Sequence, residues 1–460
     1  MISLTSFRGE VGRRAYAIAA PAAFLSQHLV VAAAFAAEGR PLPTPWWFWL
    51  TPMRSFLNAP FMPPPALLAA MAATLAADWV QVSLAFRRAQ GARAHGGLAT
   101  LAVVPGLQIL VMAWLAVAPG RPAPEPETEP SPPAVTGRAT PLAIVQGMLA
   151  GAALSVAAVF LGAVVLKTYG LSLFLFAPFL IGLASAFLAN RRGRIGTGAT
   201  MLVVMGALGL GALALLGVAL EGVVCIVIAS PLIAVAGVLG GLLGEALAVR
   251  GRDRGRATAS SVAVLPLLML VELAAPPHAT FTSAESIDVG APPAAVWDSI
   301  VHMGPIPGGP AAPFRWGLAY PVRGVIYGSG VGAVRLGVFS TGKAYERVTE
   351  WRPDRRLTFI VLSDPPTMRE LSPYAHVDAP HVKGYFRTTD ARFDIEALPG
   401  GRSRLTLTTH HELDLEPALY WTPIAQWAVH ANKRRVLAHF AAQAERWSRT
   451  TLATAARQTR

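Results

Sequence analysis

The amino-acid sequence predicts an α-helical multi-span membrane region followed by an α+β soluble domain, and three observations carry that expectation. Residues 15–274 hold eight long, nearly uncharged apolar runs. Arginines cluster at the ends of those runs. Beyond residue 279 the pattern changes to short alternating runs divided by turn residues and closed by one long helix-periodic segment.

The apolar runs are Ala15–Ala37, Ala66–Phe86, Leu98–Ala118, Leu142–Leu166, Leu171–Ala189, Ala199–Ala219, Val223–Val249 and Thr258–Ala274. Most reach the ~20 residues that cross a hydrocarbon core; the last is shorter. Composition agrees, at 53% hydrophobic and 14% charged, with the abundant glycine that close membrane-helix packing uses. The net charge of +13 would suit nucleic acid, but Arg13–Arg14, Arg87–Arg88, Arg191–Arg192–Arg194 and Arg250–Arg252–Arg254–Arg256 all flank apolar runs. Basic residues so placed orient spans, and nucleic-acid binding is the poorer reading. The single Cys225 excludes an intramolecular disulfide. Ala15–Ala37 is too long for a signal-peptide core and reads as a first span.

The chain divides into residues 1–118, a Pro/Glu-rich linker at 119–141, a second apolar region at 142–274, a soluble domain at 279–447 and a basic tail at 448–460. In the first segment, Trp46–Phe61 has the clustered tryptophan of a membrane interface. In the second, Gly206, Gly209 and Gly211, and Gly237, Gly240, Gly241 and Gly244, are read as close helix-packing positions, and Glu221 as a wet turn between spans. The soluble domain starts with Phe281–Val289 and a helix opened by Pro292-Pro293. Strand-type runs follow at Val331–Phe339, Ala344–Trp351, Leu357–Leu362, Val382–Ala397 and Arg402–Leu413, then a long helix from Pro417 or Pro423 to about Trp447. This is a helix-grip order: a curved antiparallel sheet around one long helix, with room between them for an apolar ligand.

Two resemblances accompany these elements. Phe7-Arg8-Gly9-Glu10 through Tyr16, with Arg87-Arg88-Ala89-Gln90, resembles the YhaH-like bacterial inner-membrane family of unknown function, although Glu10 and Ala89-Gln90 depart from its pattern. Ile287-Asp288-Val289-Gly290-Ala291-Pro292-Pro293 through Trp297 resembles the opening of the START-like, or SRPBCC, superfamily, which includes polyketide cyclases and lipid carriers. Gly328–Arg335, Phe339–Gly342, Leu371–Tyr374, Arg435–His439 and Glu221–Cys225 are similar to one membrane-attached branch of it. His410-His411 stand where that branch carries Trp-Tyr, Lys433 where it carries His, and Val338 where it carries Cys. The resemblance implies a START-like (helix-grip) soluble domain on a multi-pass inner-membrane protein. Its partners would be membrane lipids and an apolar small molecule, with no cofactor.

Alternation along Arg402–Leu413 puts Leu405, Leu407, Thr409, His411 and Leu413 on one face, so His411 points inward if the leucines line the cavity. His410, His411 and Glu412 cannot form one metal set, because neighbours on a strand face opposite ways. Glu370, Tyr374, His376, His381 and Tyr385 share one loop-rich stretch able to border a cavity mouth. Arg335 and Glu346 read as a buried strand-to-strand ion pair or a ligand contact, Trp427 as core packing or a ligand-facing ring, and His430 as a further ligand candidate. No G-x-S-x-G, P-loop or dinucleotide fingerprint is present. The leading expectation is therefore binding of a lipid or other apolar molecule. The alternatives are a cyclase- or dehydratase-like enzyme using His411 or His381 with Tyr374 or Glu370, and a membrane scaffold or sensor. Counting Trp46–Phe61 as an extra crossing leaves the fewest misplaced arginines and puts the C-terminal domain outside the cytoplasm.

Overall fold

The computed structural model describes residues 9–42, 44–57, 59, 61–92, 99, 102, 107–120, 140–248, 265–312, 314–371 and 382–458. They fall into two units, Met1–Leu220 with Ile226–Pro276, and Glu221–Cys225 with Pro277–Arg460.

The first unit is helical. Its elements are α1 (Arg13–Ala37), α2 (Pro64–Gly91), α3 (Leu107–Val117), α4 (Pro141–Val159, continued by a π-helical turn at Phe160–Val165), α5 (Ala177–Asn190, entered through a π-helical turn at Ser172–Phe176), α6 (Thr197–Gly217), α7 (Val223–Ala248) and α8 (Leu265–Ala274). Among the described residues six helices are long and apolar enough to cross a membrane: α1, α2 and α4 to α7. The sequence led us to expect eight. The third and eighth runs appear as the shorter helices α3 and α8, and much of the expected length beside each lies outside the described residues.

Among the described residues, Trp46–Phe61 contains no helix long enough to cross a membrane. Trp46–Trp49 is a single 3-10 turn and Arg54–Leu57 a single helical turn, both far short of a span. The buried Arg54 donates to the Ala275 carbonyl at 2.6 Å and stacks 5.1 Å over the Trp47 ring, which ties this segment into its own unit. Arg88, expected to be an orienting charge at a span end, is fully buried. Its Nε donates to the Leu115 carbonyl at 3.0 Å and its Nη2 to the Ala118 carbonyl, so it caps the last turn of α3.

Glycines set the approach of α5 to α7. A Cβ at Gly182 would overlap the Gly237 carbonyl, and one at Gly240 the Phe179 carbonyl, so the two backbones touch where a side chain would stand. Gly209 differs from the expectation: among the described residues no atom lies within 4 Å of its would-be Cβ.

The second unit opens on β1 (Ala279–Val289) and α9 (Pro293–Val301). The strands β2 (Pro321–Tyr327), β3 (Val334–Phe339), β4 (Gly342–Arg352), β5 (Arg356–Ser363), β6 (Phe386–Leu398) and β7 (Arg402–Leu413) follow, and α10 (Ala418–Gln458) ends it. All neighbours pair antiparallel in the order β1-β7-β6-β5-β4-β3-β2. Register shifts at Pro321/Arg323, Tyr345/Glu346, Val348/Glu350 and Thr388/Asp390 add the local twist that curls an open sheet. The concave face takes α10 through Leu437, Phe440, Ala441 and Ala444, a helical seam that meets Phe393, Leu405 and the Trp297 of α9 in one core. This is the helix-grip architecture expected from the element order. Strand β2 was not expected, because Pro321 and Gly324 weaken its strand signal; as an edge strand it tolerates both. Helix α10 also runs past Trp447 to Gln458.

Candidate functional site

Between the concave face of the sheet and α10 lies a cavity of about 170 Å³. The inward alternation of β7 delivers Leu407, Thr409 and His411 to its wall, and Phe359, Phe393 and Val436 supply much of its apolar surface. Two glycines keep its β2–β3 end open. Gly324 and Gly337 face each other across the strand pair, and a Cβ on either would press against the Arg335 or Glu346 side chain.

Those two charges form the first polar group of the cavity. Arg335 on β3 is the direct cross-strand partner of Glu346 on β4, and Arg335 Nη1 donates to Glu346 Oε2. Both are buried, and the guanidinium lies 4.5 Å over the Phe359 ring. Burial raises the Glu346 carboxyl above its ordinary value, and the adjacent guanidinium works against that rise. The pair is self-neutralising and lines the cavity as one dipole.

His411 is fixed by two aromatic rings and two threonine hydroxyls. Its ring stacks against both Phe281 and Phe386, with centroids 4.9 and 5.2 Å away, and those two rings also touch each other at 6.4 Å. Nδ1 stands 3.2 Å from the Thr388 hydroxyl and Nε2 2.6 Å from the Thr409 hydroxyl. Burial, with help from the nearby Lys433 charge, lowers its pKa to about 3. The imidazole therefore stays neutral at physiological pH and is a poor proton acceptor.

Two cavity residues were not among the site candidates read from the sequence, although Lys433 was noted as standing in place of a His. Asp364, just after β5, accepts the Thr388 amide at 3.0 Å; burial is the main cause of a carboxyl raised to about 6. Nothing in the sequence singles it out. Lys433 enters from α10, buried, and donates to the carbonyls of Ser283 and of Leu407, the latter at 3.4 Å. Burial pulls its amine down to about 8. A signal for Lys433 was available: it stands four residues before Leu437 and seven before Phe440, on the apolar seam of the helix.

The other expected residues fall elsewhere. Glu370 does not line the cavity; its carboxylate lies where a Cβ on Gly222 would stand. Tyr385 is also outside the lining, and its carbonyl accepts the Asp414 amide at 2.8 Å. His430 Nδ1 sits 2.7 Å from Glu285 Oε1, on the β1 side of α10 and outside the lining. Trp427 is 45% exposed and stacks on Phe314 at 5.6 Å, so it is neither core packing against the sheet nor part of the cavity. Its position four residues from Ala431 looked inward on the sequence, but the helix has turned it toward the 3-10 turn at Phe314–Trp316. Tyr374, His376 and His381 lie outside the described residues.

No protein-family model and no curated protein matches the chain. Several solved structures resemble it over the C-terminal part. The aromatase/cyclase ZhuI from Streptomyces sp. R1128 is 15% identical, over 36% of this chain and 94% of its own, with a TM-score of 0.23. Protein NE0264 from Nitrosomonas europaea is 10% identical over 36% and 94%, with the same TM-score. The Aha1 dimer from Colwellia psychrerythraea is 14% identical over 32% and 89%, with a TM-score of 0.20. The sheet order, the bulges and the gripped helix place the C-terminal part of this chain in the helix-grip fold, carried behind six helices fit to cross a membrane.

Proposed function

We propose that the C-terminal domain binds a small, mostly apolar molecule in the cavity between its sheet and α10. The observation that carries this reading is the cavity itself, an apolar chamber with a few fixed polar groups. Its size narrows the ligand. A cavity of about 150 Å³ holds one benzene ring. The chamber here, at about 170 Å³, suits a ring or a short chain, and a whole lipid would require it to widen. The expected lipid is thereby narrowed to something smaller, although supply from the bilayer remains part of the reading.

The test uses the full chain and its Ala391→Phe variant, purified in parallel, because Ala391 lines the cavity and a larger ring would fill it. Mass spectrometry of co-purifying small molecules should find a compound enriched with the wild type and lost from the variant. Identical profiles from two folded proteins would refute the binding reading.

A catalytic alternative is favoured by one observation: Asp364 and Lys433 line the same cavity with pKa values of about 6 and 8. Groups that exchange protons near neutral pH are suited to acid–base work. In that case they take the roles the sequence suggested for His411 and Glu370.

A further inference from the structure

We infer that the ligand of this cavity carries an acidic head, a carboxylate on its apolar body, and that Lys433 is the residue that holds it. This rests on the binding reading above and gives the ligand its chemical class.

The argument is a balance of charge and hydrogen-bonding capacity inside the chamber. Five ionisable groups other than the rim residue Arg323 reach its lining: Arg335, Glu346, Asp364, His411 and Lys433. Arg335 and Glu346 neutralise each other. Asp364, with a carboxyl at about 6, is mostly ionised at pH 7, but it takes the Thr388 amide and has Arg387, not Lys433, as the cation acting on it. His411 stays neutral, with both ring nitrogens against threonine hydroxyls. Lys433 is different. Its hydrogen bonds are to two backbone carbonyls, which carry no net charge, and it has no ion-pair partner among the described residues. An ammonium has three N–H donors, so one remains for a guest.

The nearest acidic influence on Lys433 is Glu285 on β1, and that carboxylate is already engaged by His430 at 2.7 Å and by Arg434 at 3.8 Å. At neutral pH most of the Lys433 population is charged, since its amine titrates at about 8. A buried cation without a counter-ion is costly, and an anionic guest removes that cost while a neutral guest does not. Arg323, at the same cavity, adds to the positive field. The site therefore prefers a carboxylate over an alcohol of the same shape.

The experiment compares phenylacetate, a carboxylate at neutral pH, with 2-phenylethanol, its near-isosteric neutral counterpart. Binding to the full chain in lipid nanodiscs is measured by titration calorimetry at pH 7, with empty nanodiscs as the reference. Phenylacetate should bind about tenfold tighter or better, as a charge-assisted hydrogen bond at a buried site implies. Lys433→Met should abolish that preference while leaving 2-phenylethanol binding in place. Equal affinity of the two probes for the wild type overturns the acidic-head inference and leaves the cavity reading standing. Binding of neither probe overturns both. Preference retained in a folded Lys433→Met protein overturns the role of Lys433. Should that variant fail to fold, the wild-type comparison still decides the ligand class.

Discussion

Replacing Asp364 by Asn should make the C-terminal domain more acid-labile than the wild type between pH 6 and 4. In the wild type two buried groups with opposite shifts offset each other there. The Asp364 carboxyl rises from 3.8 to about 6, chiefly by burial; the Thr388 amide and Arg387 oppose that rise, and Glu346 adds to it. Below 3.8 the carboxyl is protonated in both folded and unfolded chains, and its contribution to stability is fully present; that contribution is lost as pH rises through about 6. His411 moves the other way, from 6.5 to about 3. Its contribution is fully present above 6.5 and is lost as pH falls toward 3.

Each shifted group has a slope of about 1.4 kcal/mol per pH unit inside its window. Between pH 6 and 4 the folded chain holds an extra proton at Asp364 and lacks one at His411, so the two slopes cancel. Asp364→Asn keeps an acceptor for the Thr388 amide and removes only the titration. Its stability should fall by about 2–3 kcal/mol from pH 6 to pH 4 relative to the wild type. His411→Gln should show the reverse, gaining about as much over the same range. Glu346 titrates in all three proteins and drops out of the differences, while Lys433 stays protonated throughout. Urea unfolding of the full chain in detergent, followed by hydrogen exchange of peptides from β6 and β7, reads the domain directly. Parallel pH profiles for the three proteins would refute the reasoning.

Three further outcomes are expected. Glu346→Gln leaves the Arg335 guanidinium buried without its counter-charge and should cost about 3–5 kcal/mol in urea unfolding, whereas the double variant Arg335→Met/Glu346→Leu should return close to the wild type. Gly240→Ala forces α5 and α7 apart at the Phe179 carbonyl and should cost about 1–3 kcal/mol or more of thermal stability in detergent, while Gly209→Ala should leave it unchanged. A reporter fused after Arg460 should be active in the cytoplasm. With α1, α2 and α4 to α7 as the crossings, the arginine clusters at 13–14, 87–88, 191–194 and 250–256 all fall on the cytoplasmic side, as does the C-terminal domain. Activity only outside would mean that α3 or α8 also crosses.

That predicted topology is the reverse of the one expected from the sequence, and the difference lies in which segments are counted as crossings. Counting apolar runs assigns a crossing to any stretch that is hydrophobic enough. It does not see that α3 ends under the buried Arg88, or that the tryptophans after Pro45 fold into one 3-10 turn pinned by Arg54. The soluble domain was more legible, because its signals are local. Alternation over Arg402–Leu413 fixed the inward face of β7, and the heptad-like seam from Leu437 to Ala444 fixed the gripped face of α10. What stayed hidden depends on contacts between distant segments. His411 looked like an acid–base group because its residue type titrates near neutral pH, yet burial takes that property away, and Phe281 and Phe386, which stack on it, come from elsewhere in the sequence. Lys433 is the converse. Its residue type is usually solvated, but the same periodicity that buries Leu437 and Phe440 carries it to the wall of the apolar chamber, its amine on the carbonyls of Ser283 and Leu407. Burial thus makes the histidine a poor proton acceptor and leaves the lysine with backbone partners only, so in the proposed reading the choice of ligand passes from β7 to α10.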